Sequence, residues 1–226
     1  MPELHVLRVF CDEAGRHGNP LGVILDGAAI AEAERQGVAA ALGFSETVFV
    51  DDAASGALRI FTPSVELPLA GHPLVGASWL LAHVGAPVAV LRPPAGDVPT
   101  GADDDGAWIE ARPDDGPRFT LVEHATPEDV DDLPVPRGAN VHMDAWAWED
   151  EDAGRVRARV FVDEVGVPED EATGSAALRL IEALGRPLTI RQGKGSLIVG
   201  EPVADGRVRV AGRVVLDERV ELSQRI

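Results

Sequence analysis

The chain has 226 residues, 45% of them hydrophobic, and a formal net charge of −18 at neutral pH. That length fits one large domain or two of about 110 residues, and the acidic balance argues against a nucleic-acid surface, which needs clustered Lys and Arg. One cysteine, Cys11, excludes an internal disulfide framework and a Cys-rich zinc site. No run approaches the ~18 apolar residues of a membrane span, and the first residues lack a signal-peptide pattern, so the cytoplasm is the expected location.

Leu4 to Cys11 alternates and predicts a strand, Gly15 to Pro20 a turn, and Leu21 to Leu25 a second strand. Ala28 to Leu42 has apolar residues at helical spacing, with Gly43 as its C-terminal stop. Phe44 to Thr47 leads into the apolar stretch Val48–Val50. Ala57 to Thr62 predicts another strand after the turn at 51–56, and Thr62 to Ser64 a further turn. A helix over Gly71–Val84 is entered through Gly71, His72 and Pro73, proline being favoured in a first helical turn. Two more strands are expected at Pro87–Leu91 and Ala107–Ala111, separated by a Pro/Gly/Asp loop. The Pro113–Pro117 stretch is the expected domain boundary, giving domains of 1–115 and 116–226.

In the second half, Thr126 and Pro127 suit the cap and first position of a short helix to Leu133. Strands are expected at Val141–Trp148 and Val156–Val162, and a helix at Gly174–Leu184 closed by Gly185. Four short strands follow, at Leu188–Arg191, Ser196–Val199, Val208–Val210 and Arg213–Leu216, with glycine turns between them. The architecture thus repeats: strands, one central helix, strands.

Three polar positions invite a chemical reading. Glu46, flanked by apolar Phe44 and Val48, is either a surface residue at a strand start or a half-buried carboxylate suited to general acid/base work. His72, in the first turn of a helix, either satisfies the core or moves a proton beside amides that favour an anion. Asp170, Thr173, Gly174 and Ser175 form a second loop-to-helix junction. Ordinary capping explains it, or else Asp170 orients a base or binds a substrate amine. The other five histidines show no metal-ligand spacing, and no nucleotide-binding glycine loop or nucleophile elbow is present.

Taken together, Gly18–Pro20 (GNP), Ser45–Thr47 (SET), Phe61–Pro73 (FTPSVELPLAGHP), Pro168–Ala177 (PEDEATGSAA) and, more weakly, Gln192–Gly193 resemble the PhzF-like family of phenazine-biosynthesis isomerases. The resemblance implies an α+β, diaminopimelate-epimerase-like fold: two similar domains, each a curved, mostly antiparallel sheet around a central helix. It also implies a homodimer that uses no metal or organic cofactor. Glu46 would be the catalytic proton carrier, with His72 and Asp170 as supporting catalytic positions and Gly71, Gly174 and Ser175 as substrate contacts. The thiol epimerases on this fold use two cysteines, where this chain carries Ala70 and Thr173. The chain is shorter than most members at the start of its second domain, where part of the helical cover is expected to be absent. It also has Lys194 and no arginine where relatives continue with Gly-Arg.

The expected function is a cofactor-independent isomerase acting by general acid/base proton transfer on a small carboxylate-bearing substrate. The rival is a non-catalytic small-molecule-binding protein that keeps the family cleft. A third option, a thiol epimerase, requires Cys11 to line that cleft.

Overall fold

A computed structural model describes residues 2–136, 141–162 and 167–225. The first half opens with β1 (Glu3–Cys11), antiparallel to β2 (Asn19–Ile24). Helix α1 (Glu32–Leu42) returns the chain so that β3 (Glu46–Asp52) lies parallel to β2. Next come β4 (Ala57–Phe61), the two-residue β5 (Glu66–Leu67), helix α2 (Gly71–His83), β6 (Val90–Leu91), β7 (Val98–Ala102) and β8 (Gly106–Ala111).

The second half runs β9 (Thr120–Glu123), the short α3 (Pro127–Asp131), β10 (His142–Asp150), β11 (Arg155–Val162), β12 (Val167–Asp170) and α4 (Gly174–Leu184). It ends with β13 (Leu188–Gln192), β14 (Ser196–Pro202) and β15 (Val208–Glu221). The described strands join into one hydrogen-bonded surface in the order β5-β4-β3-β2-β1-β15-β14-β13-β11-β10-β9. Strand β12 pairs with β11, and β8 and β7 branch from β15.

Each half wraps its sheet around one helix. Every residue of α2 from Gly71 to Leu81 is buried, so the helix is apolar on all sides and sits in the middle of the packing. Helix α4 buries Gly174 to Leu178, Leu180 and Ile181 and leaves the rest of its surface toward solvent. Leu74 and Leu80 of α2, Leu178 and Ile181 of α4 and Val210 of β15 belong to one continuous core. Each such fully buried side chain contributes roughly 1.5–3 kcal/mol. The halves therefore share their apolar interior.

Several expectations change. The helix begins at Glu32 rather than Ala28. Gly27–Ala29 forms a separate single turn, and Ala31 is extended, with φ −55° and ψ 137°. Gly27 packs there against the backbone of β3, and a Cβ on it would lie 2.8 Å from the Val50 carbonyl oxygen. Only Val90–Leu91 of the Pro87–Leu91 stretch is a strand, and the loop after it contains β7, with Thr100 donating to Trp108 O at 2.7 Å. The second-half edge also gains β9 and β12.

The last two expected strands are one, β15, and Gly212 lies inside it rather than in a turn. Phe10 of β1 adopts φ 68° at a bulge opposite β15 and is fully buried. A Cβ on Gly212 would come within 2.5 Å of its ring. The glycine leaves room for an aromatic side chain. By contrast, α3 starts where the sequence placed it: Thr126 accepts from Asp129 N and Asp129 reaches back to Thr126 N, a reciprocal capping box.

Candidate active site

Glu46 is the first residue of β3, placed by a left-handed Gly43 (φ 69°) that ends α1. Parallel pairing sets it beside Leu21 of β2. Its side chain is 17% exposed, and burial pushes the carboxyl up to about 7, opposed by Ser45. His72 is the second residue of α2. Its imidazole is nearly sealed off, and burial pushes it down to about 4 against the pull of the Asp170 charge, so it is neutral at pH 7. His72 Nε2 and Glu46 Oε2 lie 3.2 Å apart. Among the described residues neither atom has a hydrogen-bond partner.

Asp170 closes β12, just before α4. Its Oδ1 accepts from Asn19 Nδ2 at 2.7 Å and its Oδ2 from Thr173 Oγ1 at 2.6 Å. Burial, then the Glu46 charge, push its carboxyl up to about 6, while His72 and the two hydrogen bonds pull the other way. Gln192 braces the same loop: it donates to Asp170 O and Thr173 Oγ1, both at 2.9 Å, and accepts from Thr173 N at 3.0 Å. Three titratable groups distant in sequence thus sit together with staggered proton affinities.

The two helix entrances meet backbone to backbone. A Cβ on Gly71 would lie 2.8 Å from Gly174 Cα, and one on Gly174 would lie 2.9 Å from Gly71 Cα, so only glycine permits the contact. Neither N-cap, Ala70 or Thr173, offers a side-chain cap to its helix. The first amides of a helix have no intrahelical partner, and they favour anions. Ala70 and Ser175 both line a cavity of about 380 Å³, so both amino ends open onto it.

Glu46, Asp170 and Thr173 contribute polar groups to that cavity, and Leu67, Leu69, Phe119 and Val162 contribute apolar surface. Of the residues expected here, Glu46, Asp170 and Ser175 line the cavity. His72 lies against Glu46, while Gly71 and Gly174 fill the helix-to-helix contact.

Sequence reasoning missed part of the lining. Phe119 and His142 stack with ring centroids 5.6 Å apart and line the cavity. Both fall in the region that carries no family motif, and nothing in their spacing predicts convergence. Asn19 was visible only as part of the GNP segment. Lys194 does not line the cavity; its backbone N–H donates to Glu171. Cys11 is buried away from it, its Sγ donating to Arg8 O at 3.4 Å, and burial pushes the thiol up to about 11. The thiol option fails on that placement. Among the described residues no helix is long and apolar enough to cross a membrane, and no group of three or more His, Cys, Asp or Glu is arranged to hold a metal.

One continuous, mostly antiparallel sheet wrapped around two buried helices, with a carboxylate–imidazole pair beside their entrances, defines an α+β protein of the epimerase-like fold. The chain belongs to the PhzC-PhzF family of phenazine biosynthesis-like proteins, whose model matches residues 7–131. It is similar to the trans-2,3-dihydro-3-hydroxyanthranilate isomerase of Pseudomonas fluorescens, at 29% identity with 87% of this chain and 88% of that one covered. Other curated relatives align over shorter stretches. Two of them, 42% and 40% identical, are spanned over only 28% and 30% of their length.

Among solved structures, a phenazine biosynthesis PhzC/PhzF protein from Clostridium difficile superposes with a TM-score of 0.79 at 19% identity, over 98% of this chain and 99% of that one. A hydroxyproline epimerase from Agrobacterium vitis shares the fold at a TM-score of 0.61 and 12% identity, over 97% and 91%.

Proposed function

We propose that this protein is a cofactor-independent isomerase that moves a proton between carbon atoms of a small, carboxylate-bearing substrate. The observation that carries this reading is the Glu46–His72 pair: acid and base atoms 3.2 Å apart, neither with another hydrogen-bond partner among the described residues, with burial raising the carboxyl to about 7 and keeping the imidazole neutral. A carboxyl with a pKa near the working pH both takes and returns a proton. Neutral His72 stands within reach to share that proton, the Asp170 charge acts on the pair, and the two helix entrances supply fixed dipoles for the charge that develops. Ser175 would hydrogen-bond the substrate, and Gly71 and Gly174 would set how closely the two amino ends approach it. Support also comes from the named activity of the Pseudomonas fluorescens relative. We take the working form to be a homodimer. Retention of all three polar groups speaks against a binding protein that has lost its chemistry.

The test is incubation in deuterated water with trans-2,3-dihydro-3-hydroxyanthranilate as first candidate and a panel of small unsaturated carboxylates beside it. Wild type is expected to incorporate deuterium at carbon. Glu46→Gln is expected to lower incorporation by about 10²–10⁴-fold, the usual contribution of a positioned acid/base, with the circular dichroism spectrum unchanged. Full exchange in that variant would remove Glu46 from the role.

A further inference from the structure

The Gly18–Pro20 segment enters the site without a role in the chemistry described so far. It sits where β2 begins, and each of its residues ties to something distant. Gly18, at φ 83°, donates its N–H to Ser196 Oγ of β14 at 2.9 Å. Pro20 O accepts from Ser45 Oγ at 3.3 Å. Asn19 is buried, 3% exposed, and its amide is fully engaged. Nδ2 donates to Asp170 Oδ1 at 2.7 Å and to Ala172 O at 3.0 Å, while Oδ1 accepts from Ser45 Oγ at 3.2 Å. One amide thus connects the residue before Glu46 in the first half to the carboxylate of Asp170 in the second.

The geometry points to Asn19 as a positioning residue that holds Asp170 in its ionised form and aims it at the His72–Glu46 pair. The proposal rests on the acid/base reading of the site given above. An N–H aimed at a carboxylate oxygen favours the charged form, because protonating that oxygen would lose the bond. Every other influence around Asp170 is accounted for. Burial and Glu46 on β3 oppose ionisation, while His72 on α2 and Thr173 on its own loop assist it. The flanking acids are engaged elsewhere: Glu169 pairs with Arg159 at 2.7 Å, and Glu171 accepts from Ser196 Oγ at 2.8 Å. Asn19 is therefore the donor from the first half that offsets the repulsion between two neighbouring carboxylates. Without it, the proton affinity of Asp170 would rise toward that of Glu46.

The experiment follows the Asp170 carboxyl carbon by ¹³C NMR across pH in wild type, Asn19→Ala and Asn19→Asp, assigning the resonance with Asp170→Asn. It needs no substrate, so its outcome stands apart from whether the isomerase reading survives. In Asn19→Ala the midpoint is expected to move up by about one pH unit or more, the size of shift a lost charge-assisted hydrogen bond produces. Asn19→Asp keeps the shape, removes the donor and adds a like charge, and is expected to move it further up. A midpoint unmoved in both variants would overturn the proposal. So would failure of both to fold, which would assign Asn19 to the scaffold alone. Where the isomerase assay succeeds, the pH profile of kcat/KM should shift in the same direction as the NMR midpoint.

Discussion

The two helix entrances face the same cavity and are built by opposite means. At α2 the entrance is held by packing: Ala70 has no oxygen with which to cap, Gly71 to Leu81 are buried, and the polar group, His72, has an unpartnered ring nitrogen. At α4 it is held by a polar lattice in which Asp170, Thr173, Asn19 and Gln192 satisfy one another. A site that moves protons needs both: a group whose affinity is displaced by burial, and a frame that keeps a second charged group from drifting.

The largest effect is expected where the two entrances touch. Gly71→Ala or Gly174→Ala puts a methyl 2.8–2.9 Å from the opposite backbone, so the helices must part. Overpacking of this kind costs about 1–3 kcal/mol, and a displacement approaching 1 Å at reacting groups costs up to about 100-fold in kcat/KM. Urea unfolding and the deuterium assay read the two separately. Wild-type behaviour in both variants would mean that the contact does not set the site.

A smaller effect separates the entrances by pH. His72 binds its proton less readily folded than unfolded, so the native state loses stability as pH falls from 6.5 toward 4. Asp170 binds its proton more readily folded, so the native state loses stability as pH rises from 3.8 toward 6. The two slopes oppose each other in wild type. Glu46, also raised by burial, adds a falling slope of its own, so the variants are read against wild type: between pH 4 and 6 the stability of His72→Asn should fall more steeply with pH, and that of Asp170→Asn less steeply. Each tilt amounts to about 3 kcal/mol at most. Unfolding free energies at four pH values decide it, and equal tilts in the two variants would sink the contrast.

The smallest effect belongs to Cys11. Cys11→Ser is expected to leave deuterium exchange unchanged and to alter stability by no more than about 1 kcal/mol, since the thiol's hydrogen bonds, to Arg8 O and His17 O, are long and weak and a serine hydroxyl can replace them. A loss of exchange would reopen thiol chemistry.

Both central helices were legible because their signals are local: Gly-His-Pro opens one, Gly-Ser opens the other, and Gly185 closes the second. Glu46, His72 and Asp170 were legible through motif, and the 3.2 Å approach of Glu46 to His72 and the displaced affinities of all three required the fold. Strand β15 was hidden because Gly212 reads as a turn until the Phe10 ring is seen beside it. Strand β9 was hidden because its partner β10 lies beyond α3 in the chain, and parallel pairing leaves no hairpin signature. The apolar wall of the cavity, with Phe119 and His142, depends on that same long-range pairing.

Strand β15 has a kinetic consequence. Its far end pairs with β1, where Arg8 and Asp217, 209 residues apart, form a salt bridge. During synthesis β1 must wait for this partner until nearly all of the described chain has left the ribosome. Contacts of such long sequence separation are slow to close, and the open edge of β1 invites other strands meanwhile. Deletion of residues 213–221 should leave the first lobe assembled in part and prone to aggregate, although every residue of the proposed proton relay would still be present.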